Sequence, residues 1–289
     1  MLSLRQIRRR IKSVENTKKI TRAMEMVAAS KLKKLQDLLK QSDRYIGELK
    51  RILGTLVREK PLAHPLLEKR NEVKSVLAFL IASDAGLCGS YNTNIFELAN
   101  QFLQSEGTKQ PVRFVTIGRQ AAAFLKRKKQ NVVKELGIPK PAEIEQTVHD
   151  VTQTATGEFQ SAKADQVIFI YTKVLSLGSM KPALGQLFPI VSEEKVSDTV
   201  KTVDYIIEPA LQEILDAVLP EFIEAEVSQF IKNAMVAEQA ARMMAMRQAT
   251  DNAEEMIDSL TLARNKARQA SITKELIEVV SGSRALQMK

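Results

Sequence analysis

The sequence predicts a central α/β domain between two long helices, one at each end of the chain, that pair as an antiparallel coiled coil. Three observations predict this class. Apolar residues recur at helical spacing through both ends, proline is absent from both of those runs, and the middle alternates strand-length apolar runs with helical patterns. We place the boundaries at residues 1–60 for the N-terminal helix, 61–208 for the α/β domain and 209–289 for the C-terminal helix.

The C-terminal helix is predicted from the stretch 221–281, which holds neither proline nor glycine. At 1.5 Å per residue a helix of that length would extend about 90 Å, which is too long for a core element of a small domain. Pro220 either kinks a helix that begins near Ala210 or opens the long helix. The apolar residues of this stretch follow helical spacing: Phe222, Ile223, Val227, Phe230, Ile231, Ala234, Ala253, Met256, Ile257, Leu260, Ala263, Ala267 and Ala270.

The N-terminal helix carries a heptad pattern, in which apolar residues are spaced alternately three and four apart. One run extends from Leu4 to Val14 and a second from Ala28 to Leu56, with a polar interruption at Ser42. We expect the two runs to be out of phase near Val27 and Ala28, so that a stutter offsets the seam there. Because both helices leave one middle domain, they most simply bury each other in antiparallel orientation. The residues expected in the seam include Leu35, Leu39, Ile46 and Leu49.

The middle of the chain predicts a Rossmann-like domain with a largely parallel sheet, because strands alternate with helices. A segment punctuated by proline and glycine, GSMKPALGQLFP, precedes the last predicted strand, and VSEEKVSDTV after it is predicted to be an exposed polar loop. Strands are predicted at 73–83, 111–117, 131–136, 165–174 and near Gln186 to Val191, and helices at 92–102, 118–128 and 141–156.

The net charge of +9 is located entirely in residues 1–34, which hold eleven basic and two acidic side chains, while the rest of the chain is balanced. Such a block could bind a phosphate backbone or an acidic protein surface, or could be a solvated helix face. No aromatic residues are interleaved with it for stacking on bases, which disfavours nucleic acid.

The segment SDAGLCGSYN, residues 83–92, follows a predicted strand, where α/β proteins often bind phosphate. Its glycines are spaced G-x-x-G, and it lacks the lysine and hydroxyl of a P-loop, so a tight turn of small residues is favoured over a nucleotide site. Cys88 is the sole cysteine, which excludes an internal disulfide and favours a small buried residue in a reducing compartment. We expect no cofactor and no metal, and the residues alone favour a non-enzymatic coupling or scaffold protein.

The N-terminal segment contains no apolar signal core, and no run of eighteen apolar residues occurs. These patterns predict a chain that is neither exported nor membrane-spanning on its own.

Three segments together closely resemble the gamma-subunit family of F-type ATP synthases, in its bacterial type without the cysteine-bearing chloroplast insertion. They are IRRRIKSVENTKKITRAMEMVAASKLKK, SDAGLCGSYN and EQAARMMAMRQATDNAEEMIDSLTLARNKARQASITKELIEVVSGSRAL. The resemblance covers the chain end to end. It implies a rotating central shaft inside an alpha/beta hexamer, with the epsilon subunit and the membrane rotor ring below. It also implies catalytic sites on the beta subunits, no nucleic-acid partner, and an indirect, peripheral location at the cytoplasmic face of the bacterial inner membrane.

The resemblance also implies roles for individual residues. Apolar residues of the last segment would turn in a hydrophobic sleeve at the top of the hexamer: Ile277, Val280 and Leu286. Contacts with the alpha and beta subunits would come from Lys18, Lys19, Arg22, Met24, Arg242, Arg268 and Gln269. Contacts on the rotor-ring and epsilon side would involve Tyr205 and Glu208, in a stretch that departs from the family pattern at Ile206 and Ile207. The alternative that the residues leave open is a DNA-associated coiled-coil scaffold that uses residues 1–34.

Overall fold

The computed structural model of the protein describes residues 3–59, 64–68, 70, 72–107, 110–176, 178–190 and 211–287, without the side chains of 57–59, 211 and 284–287. Two long helices enclose an α/β region in the sequence, as predicted. The elements are α1 (Leu4–Glu59), β1 (Val76–Ile81), α2 (Tyr91–Ser105), β2 (Val112–Ile117), α3 (Arg119–Arg127), β3 (Asn131–Leu136), a 3-10 turn (Pro141–Glu143), α4 (Ile144–Gln160), β4 (Gln166–Ser176), β5 (Ser179–Phe188) and α5 (Leu211–Gln287).

The chain divides into two compact units. The first is formed by Met1–Ala28 and Arg242–Lys289, and the second by Ala29–Ala241. The first unit therefore consists of the beginning of α1 and the later part of α5. The second contains the sheet, the shorter helices and the remaining parts of α1 and α5. The predicted boundaries at residues 60 and 208 fall within stretches outside the described residues and stay a prediction.

The sheet of the second unit has the strand order β3-β2-β1-β4-β5. The first four strands are parallel and β5 is antiparallel to β4. The parallel strands begin level with one another, because Val76 is paired with both Val112 and Gln166. This arrangement confirms the predicted Rossmann-like, largely parallel sheet and the four strands β1 to β4.

Both faces of the sheet are covered, which explains why β1 is an uninterrupted apolar run with every residue buried. Helices α2 and α3 pack on one face through residues such as Ile95 and Phe124. On the other face Phe159 of α4 stacks on Phe188 with ring centroids 5.0 Å apart, and Phe230 of α5 stacks on Phe169 at 4.7 Å. Helix α5 is therefore a core element of the α/β unit as well as one of the two helices of the pair.

The bounds predicted for the last strand are wrong, because the strand is Ser179–Phe188 and ends before Ile190. Pro182 and Gly185 lie inside this strand, in the segment that was predicted to precede it. Pro182 is tolerated because β5 is the edge strand of the sheet, where a missing amide donor leaves no partner unsatisfied. Gly185 is required here, since a Cβ atom at that position would lie 2.6 Å from Cε1 of Phe230. The predicted polar loop after this strand lies outside the described residues.

The stutter expected near Val27 and Ala28 is absent, because one stripe of buried or half-buried positions keeps the alternation of three and four along α1. Six further half-buried residues, among them Met24 and Leu38, flank this stripe. Lys18, Thr21 and Glu25 occupy the seam between the two apolar runs, so the seam continues while its apolar character is interrupted. The positions are Leu4, Ile7, Ile11, Val14, Lys18, Thr21, Glu25, Ala28, Leu32, Leu35, Leu39, Ser42, Ile46, Leu49, Leu53 and Leu56.

Within the second unit, α1 and α5 pair in antiparallel orientation. Lys232 Nζ donates to Ser42 Oγ at 2.5 Å, and further along α1 the Lys50 ammonium lies 2.6 Å from the Glu226 carboxylate. The predicted seam residues Leu35, Leu39, Ile46 and Leu49 are all buried, which confirms the heptad reading. Pro220 lies inside α5, which begins at Leu211.

Candidate partner-binding surface

The seam of the first unit contains polar residues at the centre of the basic block. Thr250 of α5 donates its hydroxyl to Thr21 of α1 at 2.8 Å, and both residues are buried. Lys18, whose side chain is 25% exposed, lies 2.8 Å from the carboxylate of Glu254. The hydrogen bond from Lys18, followed by the charges of Lys18 and Arg22, lowers the pKa of Glu254. The charge of Lys18 is thus engaged within the helix pair.

Lys19 and Arg22 differ from Lys18, because both lie on the exposed side of α1. They stand three residues apart, which places them on neighbouring turns of one helix face. Met24, the other predicted contact residue of this segment, is half-buried. The structure therefore separates the three predicted cations into one engaged in the helix pair and two that face outward.

Exposed apolar side chains lie beside these two cations. Ile20 is 60% exposed, Met26 67% and Val27 56%. Ile20 and Val27 are seven residues apart and share a helix face. Large exposed apolar residues next to cations are typical of a protein contact surface. Ile20, Met26 and Val27 are not among the contact residues predicted from the sequence. Their position off the heptad stripe is the sequence feature that indicates their exposure.

The last part of α5 is exposed on all sides. Ala267 is the final half-buried position, and every residue from Arg268 to Ser283 is exposed. Apolar residues are frequent there: Ile272, Leu276, Ile277, Val279 and Val280, each at least half exposed. An isolated helix in water does not gain stability from such residues, and their exposure is typical of a segment that binds a partner.

The remaining predicted contact residues have distinct positions. Arg268 and Gln269 are exposed at the start of this bare segment, and Arg242 is half-buried. The side chain of Leu286 lies outside the described residues. Tyr205 and Glu208 also lie outside them.

The segment 83–92 forms a turn that is held by its own side chains. Ser83 donates its backbone amide to Asn92 Oδ1 at 3.1 Å, and the Tyr91 hydroxyl donates to the Ala234 carbonyl of α5 at 3.2 Å. Cys88 is buried beside Ala237 of α5. These contacts fit the predicted tight turn of small residues. They also show that the turn packs against α5.

A carboxylate from this same turn caps the N-terminus of α3. Asp84 Oδ1 accepts a hydrogen bond from the backbone amide of Arg119 at 2.9 Å. An anionic ligand at this helix end would have to displace Asp84, so the geometry disfavours a phosphate site there. Leu87, at the tip of the turn, has a positive φ of 62° and is 60% exposed.

Two further observations concern other kinds of site. In the part of the chain that the structure describes, no three His, Cys, Asp or Glu side chains come together in a group that could hold a metal ion. Among the same residues, no helix combines the length and apolar content needed to cross a membrane.

Comparison with known proteins places this chain within one family over almost its whole length. A family model described as ATP synthase matches residues 3–286. A protein of Desulfitobacterium hafniense named ATP synthase gamma chain is 39% identical over 289 residues, covering 99% of this chain and 100% of the relative. A protein of the same name from Dehalococcoides mccartyi is 40% identical over 292 residues, with the same coverage.

Solved structures show the same fold. A chain from the mitochondrial ATP synthase of Euglena gracilis, in a structure of OSCP, F1 and c-ring, aligns with a TM-score of 0.67 and 19% identity, over 98% of this chain and 94% of that one. A chain from the central stalk and c-ring of the Tetrahymena thermophila enzyme aligns with a TM-score of 0.56 and 22% identity, over 80% and 99%.

Proposed function

The chain belongs to the ATP synthase family, with gamma chains as its relatives, and we propose that it works as the turning shaft of that complex. Ion flow through a membrane rotor ring would turn the shaft inside a ring of alpha and beta subunits and so drive ATP synthesis. In the opposite direction, ATP hydrolysis would turn the shaft and pump ions. The observation that carries this proposal is the bare end of α5. Every residue from Arg268 to Ser283 is exposed, the apolar ones included, as a shaft end enclosed by other subunits requires.

The helix pair suits the transmission of torque. Two helices held along a common seam resist twisting better than one, and polar contacts such as Thr21 with Thr250 and Lys18 with Glu254 hold the pair at defined positions. Because the surface of such a shaft differs from side to side, each angle would present a different contact to otherwise equal subunits. Differential contact is the condition for any conformational coupling.

The surface residues divide into two kinds of contact under this proposal. Lys19 and Arg22, with Met24 close by, would meet acidic loops of the beta subunits. Arg242, Arg268 and Gln269 would add further contacts to the alpha/beta ring, while Ile277, Val280 and Leu286 would form a bearing without fixed polar partners. Lys18 would act chiefly by positioning α5 through Glu254.

The other partners and the location follow from the same assignment. The epsilon subunit and the c-ring would bind the opposite end of the shaft, where we propose roles for Tyr205 and Glu208. The chain would carry no catalytic residue, since ATP would be made and hydrolysed on the beta subunits. It would lie at the cytoplasmic face of the inner membrane and reach that membrane through the complex.

Reconstitution tests the assignment directly. The full chain is combined with alpha and beta subunits, and ATP hydrolysis and rotation of a bead attached to the α/β domain are recorded. We expect rotation only when this chain is present. A chain that fails to assemble, and instead binds duplex DNA with an affinity that falls steeply as salt rises, would favour the DNA-scaffold alternative. No observation in the structure favours that alternative.

Removing the outward cations is expected to lower coupling. In Lys19→Gln with Arg22→Gln, ATP-driven ion pumping in the assembled complex should fall by about two- to thirtyfold, because partly solvated charge contacts contribute about 0.2–1 kcal/mol each. The matched control is Lys33→Gln with Lys34→Gln, which removes two exposed charges from the same helix. Equal pumping by the two variants at every ionic strength would show that Lys19 and Arg22 form a solvated face.

Shortening the bearing is expected to have a mild effect. Deletion of residues 283–289 leaves the exposed apolar residues Ile272 to Val280 in place, so assembly and much of the ATP hydrolysis should persist. Rotation is measured in single assembled complexes and hydrolysis in bulk. Complete loss of rotation in complexes of normal composition would contradict the bearing.

A further inference from the structure

One edge of the sheet carries basic side chains that the proposed role in the shaft does not use. We call this group the basic edge and define it as Lys74, Lys126, Arg127, Lys128, Lys129 and Lys163. All six are exposed.

The topology brings these residues together although they are distant in sequence. Lys74 stands two residues before Val76, and Lys163 stands three residues before Gln166, its partner on β4. The Ser75 hydroxyl donates to the Lys163 carbonyl at 2.6 Å, which confirms that these two strand beginnings are neighbours. The run 126–129 ends α3 and precedes β3, whose first residue Asn131 is level with Arg113 of β2.

The basic edge therefore extends along one edge of the parallel sheet, from the beginning of β3 across β2 and β1 to the beginning of β4. With neighbouring strands about 4.8 Å apart, it spans about 14 Å in a line. Three acidic groups at this edge are engaged: Glu158 lies 2.6 Å from Arg113, Asp165 is paired with Arg70, and Glu106 accepts a hydrogen bond from Gln110. Among the described residues, Lys74 has one weak ion pair, with Glu72 at 4.0 Å, and the structure gives the other five none.

Local stability does not account for this clustering. Lys126 and Arg127 lie in the last turn of α3, where cations are favoured by the helix dipole. Lys129, however, has a positive φ of 54°, a conformation that glycine or asparagine adopts at lower cost. Four adjacent cations also repel one another. We infer that the charge itself is used.

We propose that the basic edge contacts an anionic membrane surface, with lipid phosphate groups as its ligands. Clusters of four to eight Lys and Arg residues are typical of binding to anionic lipids. The charges form a line along an edge, which fits a planar array of phosphates, and flexible lysine ammonium groups can meet phosphate from many directions. Nucleic acid is disfavoured, because no exposed aromatic side chain is described at this edge.

This contact is separate from the proposed role in the shaft and does not depend on it. If the chain does rotate, a fluid lipid surface presents the same charge at every angle, so the basic edge could hold the α/β domain near the membrane without a fixed partner to obstruct turning.

Lysine acetylation of the full chain tests the proposal residue by residue. The rate is measured by mass spectrometry with vesicles of phosphatidylcholine alone and with vesicles containing phosphatidylglycerol. We expect the anionic vesicles to slow acetylation of Lys74, Lys128, Lys129 and Lys163 several-fold, and molar salt to restore it. The internal control is the pair Lys173 and Lys181, which face each other across β4 and β5, are exposed, and should be unaffected.

Matched variants test whether the basic edge acts as one surface. In Lys128→Gln with Lys163→Gln, the remaining Lys74 and Lys129 should lose most of their protection, because affinity should fall about tenfold or more. Lys173→Gln with Lys181→Gln removes the same charge and should leave that protection intact. Protection confined to α1, or equal at all lysines, would overturn the proposal. So would protection of the basic edge by polyglutamate or duplex DNA but not by vesicles.

Discussion

Replacing Leu39 by aspartate is expected to destabilise the second unit by more than about 3 kcal/mol. Leu39 is 8% exposed in the heptad seam of α1. Truncation of a buried leucine to alanine costs about 2–5 kcal/mol, and an unpaired buried carboxylate adds a desolvation cost. The free energy of unfolding is measured on the full chain by chemical denaturation, followed by circular dichroism.

Ile52→Asp is the matched control for this prediction. It places the same charge on the same helix at a position that is 40% exposed, so it should cost clearly less than the change at Leu39. Equal losses at both positions would mean that a charge anywhere on α1 weakens the helix. A wild-type unfolding curve for Leu39→Asp would mean that the heptad stripe faces water.

Replacing Asp165 by asparagine is expected to destabilise the α/β region by about 3 kcal/mol. Asp165 is 8% exposed and accepts backbone hydrogen bonds from Lys74 at 2.8 Å and Ser75 at 3.0 Å. It is also paired with Arg70, whose guanidinium donates to the Phe159 carbonyl at 2.8 Å. Asparagine keeps an acceptor for the amides but leaves the guanidinium of Arg70 without its counter-charge.

The cost of Asp165→Asn should also depend on pH. Burial acts to raise the pKa of Asp165, but the hydrogen bonds from Arg70, Lys74 and Ser75 outweigh it and lower the pKa below its usual value. The ionised carboxylate therefore stabilises the fold above its unfolded-state pKa of about 3.9, and this contribution is lost as pH falls through the lower folded-state pKa.

Denaturation at neutral pH and at several acidic pH values checks this dependence. The difference in unfolding free energy between wild type and Asp165→Asn should be largest near neutrality and shrink below about pH 4. Glu72→Gln is the control, because the Glu72 side chain is 79% exposed and should contribute less than about 0.5 kcal/mol. A difference that is constant with pH would mean that the charge of Asp165 is not what stabilises the pair.

The sequence by itself determined the elements whose apolar pattern is local. The heptad of α1 and the parallel strands β1 to β4 can be predicted from local apolar patterns. A helix seam buries residues three and four apart, and a strand covered on both faces of the sheet buries consecutive residues. Strand β5 was misplaced, since the tolerance of Pro182 depends on its edge position, and an edge exists only once the strand order is known.

Only the tertiary structure decided which charges are available to partners. Lys18 and Lys19 are adjacent and chemically alike in sequence, yet Glu254, more than two hundred residues away, pairs with Lys18 alone. The basic edge likewise joins Lys74, Lys128 and Lys163, which the sequence separates by three strands and three α-helices. Charge is carried by single residues, whereas its neutralisation depends on distances between residues far apart in the chain, and those distances are set by the packing of the whole fold.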